Sequence, residues 1–293
     1  MRITITGSLG HIGEPLASHL LNAGHAVTVI SSKSGKEAPI KALGAIPAIG
    51  SVSDADFLTA AFTGADAVFA MIPPNFSAPD IREYYRSVGR SYATAIRQSG
   101  VRRVVHLSSW GAHLPEGTGF ITGSYDVEQM LDTLPGISLT HLRPGSFYYN
   151  LEGFIGMIRH AGFIASNYGG EDKVVMVAPQ DIALVAAGEL ALGQSGKIRY
   201  IASEDITAST IASILGKAIG QPDLKWLTLT DSQAMEGLLK AGIPESIAKL
   251  YVELGAAIHD GRMREDYDKN PPAQFGSTSL VDYAKQFAMA FRK

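Results

Sequence analysis

A doubly wound α/β fold, a parallel sheet covered by helices on both faces, is the class this sequence predicts. Short apolar runs alternate with segments of helical periodicity through the first half of the chain. Those runs are apolar at almost every position, the pattern of strands buried on both faces, where a half-exposed strand would alternate. A glycine-rich turn separates the first run from the first helical segment.

Taken in order, Arg2 to Thr6 is a β-rich run, and His11 to Ala23 carries Ile12, Leu16 and Leu20 on one face of a helix. Pro15 lies in its first turn, where a missing N–H costs little, and Gly24 stops it. Ala26 to Ile30 is the second strand, Lys36 to Leu43 a short helix and Ala45 to Ile49 the third strand. Asp54 caps a helix ending near Phe62. Ala67 to Ile72 is the fourth strand, Asp80 to Ser99 a long helix, and Val104 to Leu107 the fifth strand. Phe120 to Leu134 reads as a helix with Val127, Met130, Leu131 and Leu134 on one face. Ile137 to Leu142 is the sixth strand, closed by Arg143-Pro144-Gly145. Beyond about residue 150 the pattern is helices joined by short strands, Lys173 to Val177 and Ile198 to Ile201 among them. Asp181 is expected to cap a helix running to Leu192. Thr207 to Gly220, Ser232 to Lys240 and Ser279 to Phe291 are further helices, and Asp266 to Gly276, with Pro271 and Pro272, is a loop. The expectation is a Rossmann-type sheet domain over residues 1–150. A smaller, α-rich substrate-side domain follows over 151–293, discontinuous, with some segments returning to the sheet.

Composition narrows the function. The 293 residues are 46% apolar and 18% charged, an ordinary globular balance. A net charge of -3 offers no electrostatic footprint for a nucleic acid. Cysteine is absent, which excludes disulfides, thiolate metal sites and cysteine nucleophiles. No run approaches the length of a membrane span, and the chain opens on a strand with no apolar leader, so a cytoplasmic protein acting on a small molecule is expected. The eight histidines form no H-x-x-x-H pair, so no metal is expected. The G-x-S-x-G elbow of serine hydrolases is also missing. His106, inside a strand, reads as a core residue.

Ligands of a doubly wound sheet sit beyond the carboxyl ends of its strands. There Gly7-Ser8-Leu9-Gly10-His11-Ile12-Gly13 has the spacing G-x-x-G-x-x-G, after a strand and before a helix. Glycines permit the tight turn, the close approach of backbone to a pyrophosphate, and helix–strand packing. The helix N–H groups and dipole then face the anion. NAD-selective sites carry an acid about 20 residues further on. Here Ser31-Ser32-Lys33 stands at that place, and hydroxyls with an ammonium favour a 2′-phosphate. The expected cofactor is therefore NADP(H) in preference to NAD(H).

Further motifs fall at the later strand ends: Met71-Ile72-Pro73-Pro74, Leu107-Ser108-Ser109, Leu142-Arg143-Pro144-Gly145-Ser146-Phe147-Tyr148-Tyr149-Asn150 and Asp181-Ile182-Ala183. Together with the glycine turn, their order resembles the NmrA-like branch of the atypical short-chain dehydrogenases/reductases over nearly the whole chain. The resemblance implies that Ile72, Pro73 and Pro74 border the adenosine and pyrophosphate. It also implies that Leu107, Ser108 and Ser109, with Pro144, Gly145, Ser146 and Phe147, lie beside the nicotinamide. Some members reduce quinones or related small carbonyl and alkene compounds with NADPH. Others bind the dinucleotide without turnover and report redox state to a protein partner.

Short-chain dehydrogenases normally use a Tyr-x-x-x-Lys pair on the helix after the fifth strand, the lysine lowering the tyrosine pKa. Aligned on Val127-Glu128, Phe120 falls at the tyrosine position and Ser124 at the lysine position, and Tyr125 has Gln129 four residues on. The usual mechanism is not encoded. Either hydride passes directly to an acceptor such as a quinone, with Tyr125, Ser109, His113, Tyr148, Tyr149 or water supplying the proton, or the protein is a non-catalytic sensor. Trp110, Phe147 and Tyr148 could wall an aromatic substrate pocket, and Arg82, Tyr84, Tyr85 and Arg86 either flank the cleft or form a helix surface.

Overall fold

The apolar runs of the first half become β1 (Arg2–Ile5), β2 (Ala26–Ser31), β3 (Ile46–Ile49), β4 (Ala67–Ala70), β5 (Arg103–Leu107) and β6 (Ser138–Pro144). Between them lie α1 (Gly13–Asn22), α2 (Glu37–Ala42), α3 (Ala55–Phe62), α4 (Ile81–Ser99) and α5 (Thr122–Asp132). The chain continues through β7 (Ser146–Phe147), α6 (Ile155–Ala161), β8 (Ile164–Ser166), β9 (Lys173–Val177), α7 (Pro179–Ala191), β10 (Ile198–Ile201) and β11 (Glu204–Thr207). It ends with α8 (Ala208–Ile219), β12 (Trp226–Thr228), α9 (Asp231–Lys240), α10 (Glu245–His259) and α11 (Leu280–Arg292). This computed structural model describes residues 1–193 and 196–293.

Seven strands form one sheet in the order β10-β6-β5-β4-β1-β2-β3. The pairings from β3 through β6 are parallel, for example Ile5 opposite Val29 and Phe69, and Val105 opposite Thr140. The order reverses between β1 and β4, which is the switch point of a Rossmann-type sheet. Helices cover the strands because the strands are apolar on both faces. Leu16, Ala17 and Leu20 of α1 are buried, as are Leu58 and Phe62 of α3 and Val88, Tyr92, Ala95 and Ile96 of α4. Each large apolar side chain among them contributes about 1.5–3 kcal/mol. Helix ends follow local chemistry. The Asp80 carboxylate accepts from Glu83 N–H at the start of α4, and Gly100, with φ 72°, ends it in the left-handed conformation.

The chain divides into two compact units interleaved in sequence: Met1–Ala112, Gly123–Arg143 and Ile182–Arg199 in one, His113–Thr122, Pro144–Asp181 and Tyr200–Lys293 in the other. α5, β6, α7 and β10 therefore each begin in one unit and finish in the other. In the second unit β9 sits between antiparallel β11 and parallel β7, β12 pairs with β8, and α8 to α11 make it α-rich. No helix among the described residues is long and apolar enough to cross a membrane.

Three expectations are corrected. The fourth strand stops at Ala70 because the next N–H, of Met71, donates to Thr6 Oγ1 (2.8 Å) and leaves the ladder. Residues 119–121 are a 3₁₀ turn, and α5 begins only at Thr122. Asp181 does not cap α7, which starts at Pro179. Its buried carboxylate instead accepts from Ser203 Oγ (2.6 Å) and from the Ser277 and Thr278 N–H groups (3.1 and 3.2 Å), tying the segment before α11 into the second unit.

Candidate functional site

The first unit builds its site at the sheet's switch point. Leaving β1, the chain enters the left-handed region at Gly7 (φ 95°) and again at Ser8 (φ 58°), the one non-glycine residue there among those described. Ser8 N–H donates to Ile30 O (3.0 Å), so the strained turn is held by the end of β2. The three glycines have separate steric reasons. A Cβ on Gly7 would lie 2.7 Å from Met71 Sδ, one on Gly10 3.3 Å from Gly7 O, and one on Gly13 2.0 Å from Ser8 O. α1 then starts without a side-chain cap, because Ile12 occupies the capping position. Within the first turn Glu14 N–H turns back to Gly10 O (3.1 Å), Leu16 N–H to Ile12 O (3.0 Å), and Pro15 has no N–H. What the turn offers an anion is the bare backbone of its glycines and the positive end of the α1 dipole.

A buried clasp fixes the two strand ends at the switch point. Tyr92 O–H donates to Met71 O (2.5 Å) and lies 3.2 Å from Thr6 Oγ1, which also contacts Met71 O. Burial raises the Tyr92 phenol far above its usual range, so it remains a donor. Beyond Met71, Ile72 is buried, Pro73 is half-buried and its carbonyl accepts from Tyr84 O–H (3.0 Å), and Pro74 is exposed.

At the end of β2, Ser31 is buried. Its oxygen accepts from Ser8 O–H (3.0 Å) and Lys33 N–H (3.2 Å), linking the glycine turn to the next loop. Ser32 and Lys33 are exposed, as are Gly10 and His11; Leu9 is half-buried.

At the end of β5, Ser108 N–H continues the ladder to Leu142 O (2.8 Å). Its hydroxyl donates to Glu128 Oε1 (2.5 Å), and the same carboxylate takes Arg143 Nε on Oε1 (3.0 Å) and Arg143 Nη2 on Oε2 (2.6 Å). All three side chains are buried. Neither the glutamate nor the arginine stood out in the sequence as a functional group. The only signal was one of three acids on α5 and an Arg-Pro at a strand end. Ser109 O–H donates to Trp110 O (3.1 Å), and Trp110 is buried with its indole N–H unpartnered among the described residues. On α5, Ser124 is buried and Tyr125 is half-buried, and the Tyr125 hydroxyl has no hydrogen bond among the described residues. Arg82 grips Asp126 through Nε and Nη2 (2.6 and 2.8 Å), joined by Arg86 Nε (2.7 Å). These arginines hold the Asp126 carboxyl below its ordinary range. Tyr85 packs on Gly123, where a Cβ would meet it at 2.7 Å.

Residues 1–262 match the NmrA-like family. The chain belongs to that family. No curated protein sequence matches it. Among solved structures, a Citrobacter sp. triphenylmethane reductase complexed with NADP(H) has a similar fold (TM-score 0.78, 22% identity, 97% of this chain and 99% of that one). An NADPH-dependent quinone oxidoreductase from Escherichia coli, complexed with NADPH, is also similar (TM-score 0.77, 21% identity, 97% and 99%). So is a nucleoside-diphosphate-sugar epimerase from Staphylococcus aureus (TM-score 0.74, 16% identity, 97% and 100%).

The remaining residues singled out in this NmrA-like chain lie in the second unit. Phe120 packs edge-on against Tyr251 (4.9 Å), and His113 is half-buried. Pro144 and Gly145 are buried, and a Cβ on Gly145 would meet Val175 O at 2.4 Å, so that glycine has a packing reason. Ser146 and Phe147 pair with β9, and Phe147 leans on Tyr149 (5.3 Å). Tyr148 is fully buried against Tyr283, with its hydroxyl on Thr278 O (3.1 Å) and Glu204 Oε2 (3.3 Å). Burial first, and Glu204 second, raise its phenol far above the usual range. Tyr148 is thereby a core residue, removed from the proton donors and the pocket wall. Among the described residues no cluster of three or more His, Asp and Glu could hold a metal ion.

Proposed function

We propose that this chain is an NADP(H)-dependent oxidoreductase that passes hydride to a quinone or a similar small conjugated carbonyl compound without the usual tyrosine–lysine pair. The observation that carries the reading is the end of β2. Exposed Ser32 and Lys33 stand beside the glycine turn where an NAD-selective site would place a carboxylate. A carboxylate there accepts from the ribose 2′-OH and repels a 2′-phosphate; a hydroxyl and an ammonium attract it. The similar folds of a quinone oxidoreductase and a triphenylmethane reductase, each described with NADP(H), support the same cofactor.

Gly7 through Gly13 would hold the pyrophosphate, Ser32 and Lys33 the 2′-phosphate, and Ile72 to Pro74 the adenosine side. When bound, the dinucleotide supplies the hydride. Ser108 and Ser109 donate their own protons to Glu128 and to Trp110 O, so neither is the acid. Tyr125, half-buried and with no hydroxyl partner among the described residues, is the candidate donor of the first unit. A quinone makes little demand on it, because the reduced oxygen is a stable phenolate.

The test is the loss of NADPH absorbance with a panel of quinones, NADH run in parallel. Turnover with NADPH well above NADH is the expected result. Phe120 and Ser124 in place of the pair favour a second reading, a non-catalytic NADP(H)-binding redox sensor. Tight NADPH binding with a flat trace across the panel would establish that reading instead.

A further inference from the structure

Glu128 is a buried carboxylate with no part in the reaction as proposed, yet it lies against a residue at the ligand end of β5. Arg143 places an N–H on each of its oxygens, at 3.0 and 2.6 Å. As the carboxylate partner of a guanidinium the group carries no proton to donate, and it can only accept. The short contact from Ser108 Oγ (2.5 Å) is then a hydroxyl donating to a carboxylate. Ser108 has one proton, and it is committed. What the oxygen keeps is lone pairs. Ser108 is 7% exposed, and its backbone is fixed by the ladder bond to Leu142 O. At this point the site therefore accepts hydrogen bonds and does not donate them.

A dinucleotide lies across the switch point of a doubly wound sheet, one nucleotide over each half. With the pyrophosphate at the β1 turn, the 2′-phosphate at β2 and the adenosine side at Ile72 to Pro74 after β4, the other nucleotide lies over β5 and β6. That half is the nicotinamide riboside, which carries ribose hydroxyls and a carboxamide N–H, all donors.

We propose that Glu128 is a positioning residue for the dinucleotide: it takes up the Ser108 proton so that Ser108 accepts a hydrogen bond from the nicotinamide riboside. This rests on the cofactor reading above and adds a polarity to it. A purely structural ion pair would stabilise the fold and leave ligand selectivity alone.

The experiment compares two ligands by calorimetric titration: NADPH, and adenosine 2′,5′-bisphosphate, which lacks the nicotinamide riboside. Ser108→Ala is expected to weaken NADPH about 3- to 10-fold, the value of one hydrogen bond, with the bisphosphate unchanged. Glu128→Gln is expected to weaken NADPH selectively when Ser108 is present and to add nothing in the Ser108→Ala background. Should Glu128→Gln fail to fold, Glu128→Gln with Arg143→Gln removes both buried charges together and serves the same comparison. Equal weakening of both ligands, or a further selective loss in the alanine background, would overturn the proposal. A wild-type protein that binds neither ligand would overturn the cofactor reading itself. One that binds both, with Ser108→Ala indifferent, would overturn only this inference.

Discussion

At Gly13 a methyl group would sit 2.0 Å from Ser8 O, against a floor of 3.0 Å for real contacts. Either Ser8 or the start of α1 must move by about 1 Å. Neither is free to do so. Ser8 is held by its bond to Ile30 O (3.0 Å), and α1 is pinned by buried Leu16, Ala17 and Leu20. Overpacking of this kind costs about 1–3 kcal/mol, and the gain of about 0.5–1 kcal/mol that alanine ordinarily brings to a helix offsets only part of it. Gly13→Ala should lower Tm by about 2–6 °C for a chain of this size. On the proposed reading the displaced turn also loses a charge-assisted bond to the pyrophosphate worth about 1.5–3 kcal/mol, a loss of about 10- to 100-fold in NADPH affinity. Gly10→Ala is the control. Its methyl would lie 3.3 Å from Gly7 O, its backbone is not left-handed, and it is exposed. The fold should tolerate it, yet the methyl stands where the anion approaches. Thermal melts with NADPH titrations of both variants check this. Unchanged affinity in Gly10→Ala, or a wild-type melt and affinity in Gly13→Ala, refutes the assignment of the turn.

Other consequences are as direct. Lys33→Ala should weaken NADPH several-fold and leave NADH unchanged, since Lys33 is exposed and on the proposed reading pairs with the 2′-phosphate alone; parallel titrations decide it, and a tighter grip on NADH would point to a different basis for selectivity. The fully buried pair His106 and His141, Nδ1 to Nδ1 at 2.9 Å, predicts acid sensitivity. Burial, and then His141, hold His106 well below its ordinary 6.5, so the unfolded chain binds the proton first. Stability is complete above about pH 6.5 and falls by about 1.4 kcal/mol per pH unit below it. Urea unfolding between pH 7.5 and 5 measures the slope, and His106→Asn should flatten it. His259, raised by Asp172, works in the opposite sense, but it is exposed and contributes little. Arg103, buried, lies on Glu189 Oε2 (3.0 Å). Glu189→Ala alone should cost about 3–5 kcal/mol in unfolding free energy, while replacing both partners with methionine should recover most of it.

Much of this was legible before any coordinates. The six parallel strands, the glycine turn and the absence of an acid after β2 all follow from neighbours in sequence, because they depend on local backbone conformation and on the periodicity of apolar residues. His106 as a core residue follows from its place in an apolar run. What sequence reasoning missed are polar groups whose partners lie far along the chain. Asp181 looks like a helix cap by spacing, yet its carboxylate serves Ser277 and Thr278, nearly 100 residues away. Tyr148 looks like a donor by motif and is a core residue by burial.

The turn that would hold a dinucleotide is thus written in a dozen consecutive residues, since φ, side-chain size and helix start are local properties. The polarity of Ser108, the ionic clamp of Glu128 on Arg143 and the interleaving of the two units are not written there. A buried charge is tolerable only beside its counter-charge, and which residues meet is settled when α5 packs against the ends of β5 and β6.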